Sequence, residues 1–174
     1  MAKILSAALP VGWVTLRILI VLNWIYGAAI LGLVAFTFIN EAWFLRAIHV
    51  PAGTDPQPIM IGLRTIALLG VAAVPLAYVM MKRLLAILDT VRKGDPFVAE
   101  NAYRLQAIGW VLLALQLLSM VIGGIGHSLS SKQFPLHLDA GFSINGWLCV
   151  IFALVLARVF AEGTLMREDL DGTV

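Results

Sequence analysis

Four apolar stretches, each about as long as a bilayer is thick, fill most of this chain. The hydrocarbon core is ~30 Å thick, so a spanning helix needs about 20 apolar residues. The stretches run over residues 14–38, 59–81, 107–126 and 140–157. Lipid offers no partner to a free backbone N–H or C=O, which makes a helix the expected form of each. No strand-type alternation argues for a β-barrel. The hydrophobic fraction of 61% exceeds the ~45–50% of soluble domains, and mean hydropathy is +0.95. A first stretch of this length outruns the ~7–15-residue core of a signal peptide, so it is expected to be retained. The predicted fold class is all-α: one domain over residues 1–174, an integral membrane four-helix bundle.

Charge sets the expected topology. The net charge is only +2, but its distribution is lopsided. Lys3 and Arg17 flank the start of span one. Lys82, Arg83, Arg92, Lys93 and Arg104 crowd the connection between spans two and three, and Arg158 and Arg167 follow span four. The two opposite loops hold only Arg46 and Lys132. The positive-inside rule then places the N- and C-termini and the central connection in the cytoplasm. Cys149 is the single cysteine. It excludes an intramolecular disulfide and a Cys-rich metal site, and reads as a small packing residue.

Turn chemistry marks the element ends. Trp43, Phe44 and Leu45 suit an interfacial segment, and Asp55-Pro56 suits a helix start. The helix of span two does not stop at Met81. Leu84, Leu88 and Val91 keep helical spacing, and at 1.5 Å per residue the helix from residue 59 to 91 is ~50 Å long. Helices two and three are therefore expected to extend into the cytoplasm. Gly94 reads as the C-terminal cap, Asp95 as the next N-cap and Pro96 as the first helical position, with helix three starting at Phe97. Leu84, Leu88, Phe97 and Leu105 are expected on the inner side of this hairpin. The acidic tail, with Glu162, Glu168, Asp169 and Asp171, is expected to extend helix four by two turns and then fray.

Two cytoplasmic stretches carry a resemblance. One is Gly94-Asp95-Pro96-Phe97, with Asn101 and the run from Arg104 to Gly109. The other is the run from Val159 to Gly163, with Leu165, Arg167-Glu168-Asp169 and the ending Asp171-Gly172-Thr173-Val174. Together with the four spans they resemble the bacterial family of small membrane proteins catalogued as domain of unknown function 2975. Gly172 stands where that family's ending has leucine. The resemblance implies the bacterial inner membrane and no established enzymatic activity. It also implies a helix-turn-helix transcription regulator as partner, since members are often encoded beside one.

Polar residues within the spans are the other candidates. Arg64 is the most costly, at about 2.5–3.5 kcal/mol for a central arginine on insertion scales. Its functional reading is a buried cation paired with Glu41, Asp55 or Asp139. The simpler reading is snorkelling to the interface. Asn23, Gln116 and Ser119 suit interhelical bonds, and Ser119 with Gly123 to Gly126 suits close helix packing. Pro75 is expected to kink span two. His49, His127 and His137 share one side with Glu41 and Asp139 but match no metal motif.

No catalytic motif, metal set or cofactor motif is present. The preferred expectation is a non-enzymatic membrane sensor or regulator. It would bind a cytoplasmic protein through Gly94, Asp95, Pro96, Phe97, Asn101, Arg104, Glu162, Glu168, Asp169 and Asp171. The alternative is a small transporter or channel subunit using Arg64, Asn23, Gln116 and Ser119. Expected partners are the lipid bilayer, the regulator protein and a second copy of the chain, with no direct nucleic-acid contact.

Overall fold

In the computed structural model, residues 2–48, 50, 55–130 and 138–171 are described. They form five helices: α1 (Ala2–Ile39), α2 (Glu41–Ala47), α3 (Pro56–Arg92), α4 (Ala99–Leu129) and α5 (Ile144–Asp171). There is no strand among the described residues. The four long helices, α1, α3, α4 and α5, are each long and apolar enough to cross a membrane. This is the layout of a multi-pass membrane protein. The expected positions at His49, Pro51, Gly53, Lys132, His137 and Gly172 to Val174, and the side chains of Lys3, Glu168 and Asp171, lie outside the described residues.

The long helices pack in chain order: α1 on α3, α3 on α4, and α4 on α5. No comparable contact joins α1 to α5, so the expected bundle is an open row. Lipid explains this. Tails are as apolar as leucine, so nothing drives an apolar helix face to leave lipid for another helix. Large side chains such as Ile25, Tyr26 and Phe152 accordingly point outward.

Several boundaries follow from local chemistry. Asp55 caps α3, its carboxylate accepting from the Gln57 N–H at 3.1 Å, with Pro56 in the first position. At the far end of α3, Gly94 has φ +83°. The Gly94 N–H donates to Val91 O and the Asp95 N–H to Thr90 O, both at 3.1 Å. These two bonds make a Schellman closure, which needs the left-handed conformation glycine tolerates. The segment expected at the interface forms α2, where Trp43 meets Phe36 edge-on with ring centroids 5.4 Å apart.

Three expectations are corrected. First, α4 starts at Ala99 with Val98 as its N-cap, not at Phe97 with Asp95 capping. The Asp95 carboxylate is held elsewhere, and Asn101 Nδ2 holds the Pro96 carbonyl at 2.9 Å, keeping residues 96–98 out of the helix, with Val98 extended. Second, residues 140–143 are not helical, and α5 begins at Ile144. Gly141 has φ +130°, and the Ser143 hydroxyl caps the helix by accepting from Gly146 N–H at 3.1 Å. Third, α5 does not fray after two turns but continues to Asp171. The hairpin interior is also only partly as expected. Leu105 is buried, but Leu88 faces Gly12 of α1, and Phe97 turns to α5.

Candidate functional site

The α3–α4 turn and the far part of α5 form one surface. Phe97 packs on Phe160 with ring centroids 5.3 Å apart and planes at 32°. Gly163 leaves room for that ring, because a β-carbon there would stand 3.2 Å from it. Beside the rings, Arg167 Nη1 and the Asp95 carboxylate form an ion pair. The pair is half exposed, and exposed pairs contribute only about 0–1 kcal/mol. The ring contact therefore does more to fasten α5 to the turn.

Asn101 is the buried anchor of the turn, at 0% exposure. Its amide donates to Thr90 Oγ1 at 2.6 Å and to Pro96 O at 2.9 Å, and its oxygen accepts from Arg104 Nη1 at 2.7 Å. It locks the turn from within and presents nothing to a partner. Of the expected docking residues, Asp95, Pro96, Phe97 and Arg104 lie around this anchor. Glu162 is exposed and paired with Arg158 at 2.8 Å, and Asp169 is exposed. Along the α4–α5 junction runs a groove of about 520 Å³, floored by Ala102, Ala157 and Ala161 and rimmed by Tyr103, Gln106 and Arg158. Tyr103, Leu165 and Met166 are each more than half exposed at this end.

The opposite end is organised by Arg64. Its Nε donates to Thr37 Oγ1 at 3.1 Å, and its Nη2 donates to Thr37 O at 2.8 Å and to Glu41 Oε2 at 3.2 Å. The guanidinium carbon lies 4.0 Å from the Phe38 ring centroid, and the side chain is 19% exposed. Of the three carboxylates considered, Glu41 is the partner; Asp55 caps α3 and Asp139 is exposed. One guanidinium nitrogen meets Glu41, so this is not a two-pronged fork. Arg64 mainly closes the end of α1, whose last carbonyls have no helical partners. His127 is exposed, and no metal-holding group of His, Cys, Asp and Glu occurs among the described residues.

The remaining span residues join helices. Asn23 Nδ2 donates to Val74 O at 3.0 Å, across α1 and α3. The Gly141 N–H donates to Ser119 Oγ at 3.1 Å, and Gln116 Nε2 donates to Gly141 O at 3.3 Å. Gln116 also fills the space at Gly146, where any side chain would collide with it. Gly123 lets the backbone of Ala140 and Gly141 approach, since a β-carbon would meet Ala140 O at 2.6 Å. The small-residue face of α4 is thus used inside the protomer. Pro75 lies within α3.

The family model described as protein of unknown function DUF2975 matches residues 46–174. The chain belongs to the DUF2975 family. The match takes in α3, α4 and α5 and starts inside α2, leaving α1 outside. No curated protein and no solved structure matches the chain. The two stretches that carried the family resemblance are separate in sequence, and they are the ones joined by Asp95–Arg167 and Phe97–Phe160.

Sequence reasoning missed a third cluster. Trp13 Nε1 donates to Asp89 Oδ1 at 3.1 Å, and the guanidinium carbon of Arg17 lies 4.0 Å from the Trp13 ring centroid, with that of Arg92 at 5.7 Å. It ties α1 to the far part of α3. The Asp89 partner is 76 residues away, so no local pattern announces it. Arg83 Nε is buried with no hydrogen-bond partner. The α4–α5 groove was missed too, although Ala157 and Ala161 stand at the four-residue spacing of close packing. Cys149, expected to be a small packing residue, is exposed on α5.

Proposed function

We propose that this DUF2975 protein is a non-enzymatic membrane regulator that binds a soluble protein at the end built by the α3–α4 turn and α5. Its termini and that turn face the cytoplasm of a bacterial cell, and the long helices sit in the inner membrane. The observation that carries this reading is the joining of the two family stretches into one surface. A chain reversal alone does not need Phe97 stacked on Phe160, nor α5 carried on to Asp171. The exposed Tyr103 and Leu165 beside the alanine-floored groove give that surface apolar anchors of the type interfaces favour. The charge bias supports its cytoplasmic placement, and the family resemblance suggests a helix-turn-helix regulator as the bound protein. The transporter reading has less support, since Asn23, Gln116 and Ser119 spend their polar atoms on the neighbouring backbone.

The test is co-purification from native membranes with identification of bound proteins. Wild type is compared with Tyr103→Glu/Leu165→Glu, which changes the surface but not the buried anchor. Wild type is expected to retain a soluble protein that the variant releases at equal membrane expression. Equal retention, or none by wild type, would overturn the reading.

A further inference from the structure

The face of α5 turned away from α4 carries a regular seam. Leu148, Phe152, Val155, Val159 and Met166 are each more than half exposed and lie on that one face. Their spacing alternates four and three residues, with Glu162 in the one gap, and Asn145 begins the series three residues before Leu148. This is the a/d pattern of a coiled coil. The side of α5 that packs on α4, with Val150, Ala153, Ala157 and Thr164 buried, is diametrically opposite. We propose that α5 pairs with α5 of a second copy of this chain as a parallel, left-handed coiled coil.

The concavity on this face fits the proposal. It measures about 430 Å³ and is lined by Leu148, Cys149, Ile151, Phe152 and Val155. Positions d, g, a and d of one helix form the hole that receives an a-position knob of a parallel partner. Leu148, Ile151, Phe152 and Val155 occupy those positions in that order. A second copy supplies the matching knob by symmetry, because a twofold interface uses the same patch on both subunits. A twofold axis along the membrane normal also makes the two α5 helices parallel.

Lipid accounts for only part of the seam. Thr90 against Asn101 and Gly62 against Leu129 set the register of α3 on α4, which puts Lys82 level with Gly109. Gly109 packs on Leu154. Val159 and Met166 therefore lie about 8 and 18 Å beyond the level of Lys82, at ~1.5 Å per residue. The headgroup layer on each side is only about 5–8 Å thick. Met166 is past the reach of tails, and a partner helix continuing in the same direction covers it. Glu162 breaks the apolar row in this outer part, with its carboxylate turned aside onto Arg158.

Asn145 lies at the other end of the seam, level with Leu117 of α4. A lipid-facing amide there has no hydrogen-bond partner. Across a twofold axis, two Asn145 side chains bond to each other, the polar pairing that fixes register and strand number in coiled coils and joins helices in membranes. The open row leaves this edge of the molecule available.

The full-length chain in native membranes provides the test. In a Cys149→Ser background, single cysteines replace Leu148, Phe152, Val155 and Val159, with Val150→Cys and Ala153→Cys as controls facing α4. Oxidation is expected to give covalent dimers at the four seam positions and none at the controls. The purified protein in nanodiscs is expected to have the mass of a dimer, and Val159→Lys/Met166→Lys, changed only beyond the hydrocarbon, that of a monomer. A monomeric wild type, or cross-links that ignore the seam, would show that lipid or another protein covers this face and would overturn the proposal. The soluble-partner pull-down is a separate readout, so either proposal can fail without the other.

Discussion

Arg64 donates to the carbonyl of Thr37, so a side chain of α3 closes the last turn of α1. The same guanidinium reaches the Thr37 hydroxyl and Glu41, which makes one residue the clasp between α1, α2 and α3. Snorkelling alone would let lysine replace it, but an ammonium lacks the Nε donor and the planar fork. Arg64→Lys is expected to lower stability by about 1–3 kcal/mol, the range for a broken bond to a part-buried group. Arg46→Lys is the control, because Arg46 bonds only to Ala42 O of its own helix. Thermal unfolding in detergent decides the matter, and equal midpoints for the two variants would sink the clasp.

Asn101 predicts a second loss. Asn101→Ala leaves Pro96 O and Thr90 Oγ1 without their donor in a buried place, at about 1–3 kcal/mol for each unsatisfied group. The same melts are expected to show a larger drop for Asn101→Ala than for Arg104→Ala, whose bond sits at the rim. The reverse order would mean that the turn is held from outside.

Asp55 and Asp95 precede prolines in the same way, yet only Asp55 caps a helix. Asp55→Ala is expected to cost about 0.5–2 kcal/mol, as for a lost N-cap. Asp95→Ala loses only a half-exposed ion pair, at about 0–1 kcal/mol, and high salt shrinks that loss by screening. Melts of both variants at low and high ionic strength compare them. A salt-independent loss in Asp95→Ala matching that of Asp55→Ala would restore Asp95 as a cap.

Topology is open to direct labelling. In the Cys149→Ser background, Lys93→Cys is expected to resist a membrane-impermeant thiol reagent added to whole cells, and Thr54→Cys to react. Reaction at Lys93→Cys from outside would reverse the orientation drawn from the charge bias.

The spans were legible because apolar length is a local property, and so were the Gly94 stop and the Asp55 cap, whose chemistry lies within a few residues. The misplaced boundaries have distant causes. Asp95 is diverted by Arg167, 72 residues on, and the start of α5 is delayed where Gln116 and Ser119 hold Gly141. The hairpin residues were found as a set, but not that Phe97 would turn from its own hairpin to Phe160. The Trp13–Asp89 bond joins residues 76 apart, so nothing local to either one signals it.

The open row has a consequence for how the molecule is made. Among the described residues the long helices make their main contacts with their neighbours in chain order, so no early helix waits for a late one. As the chain emerges, α3 can settle on α1, α4 on α3 and α5 on α4, with every docking surface finished before the next arrives. Local contacts of this kind favour fast folding. The last helix to arrive also forms the free edge, so any lateral association through α5 follows completion of the protomer.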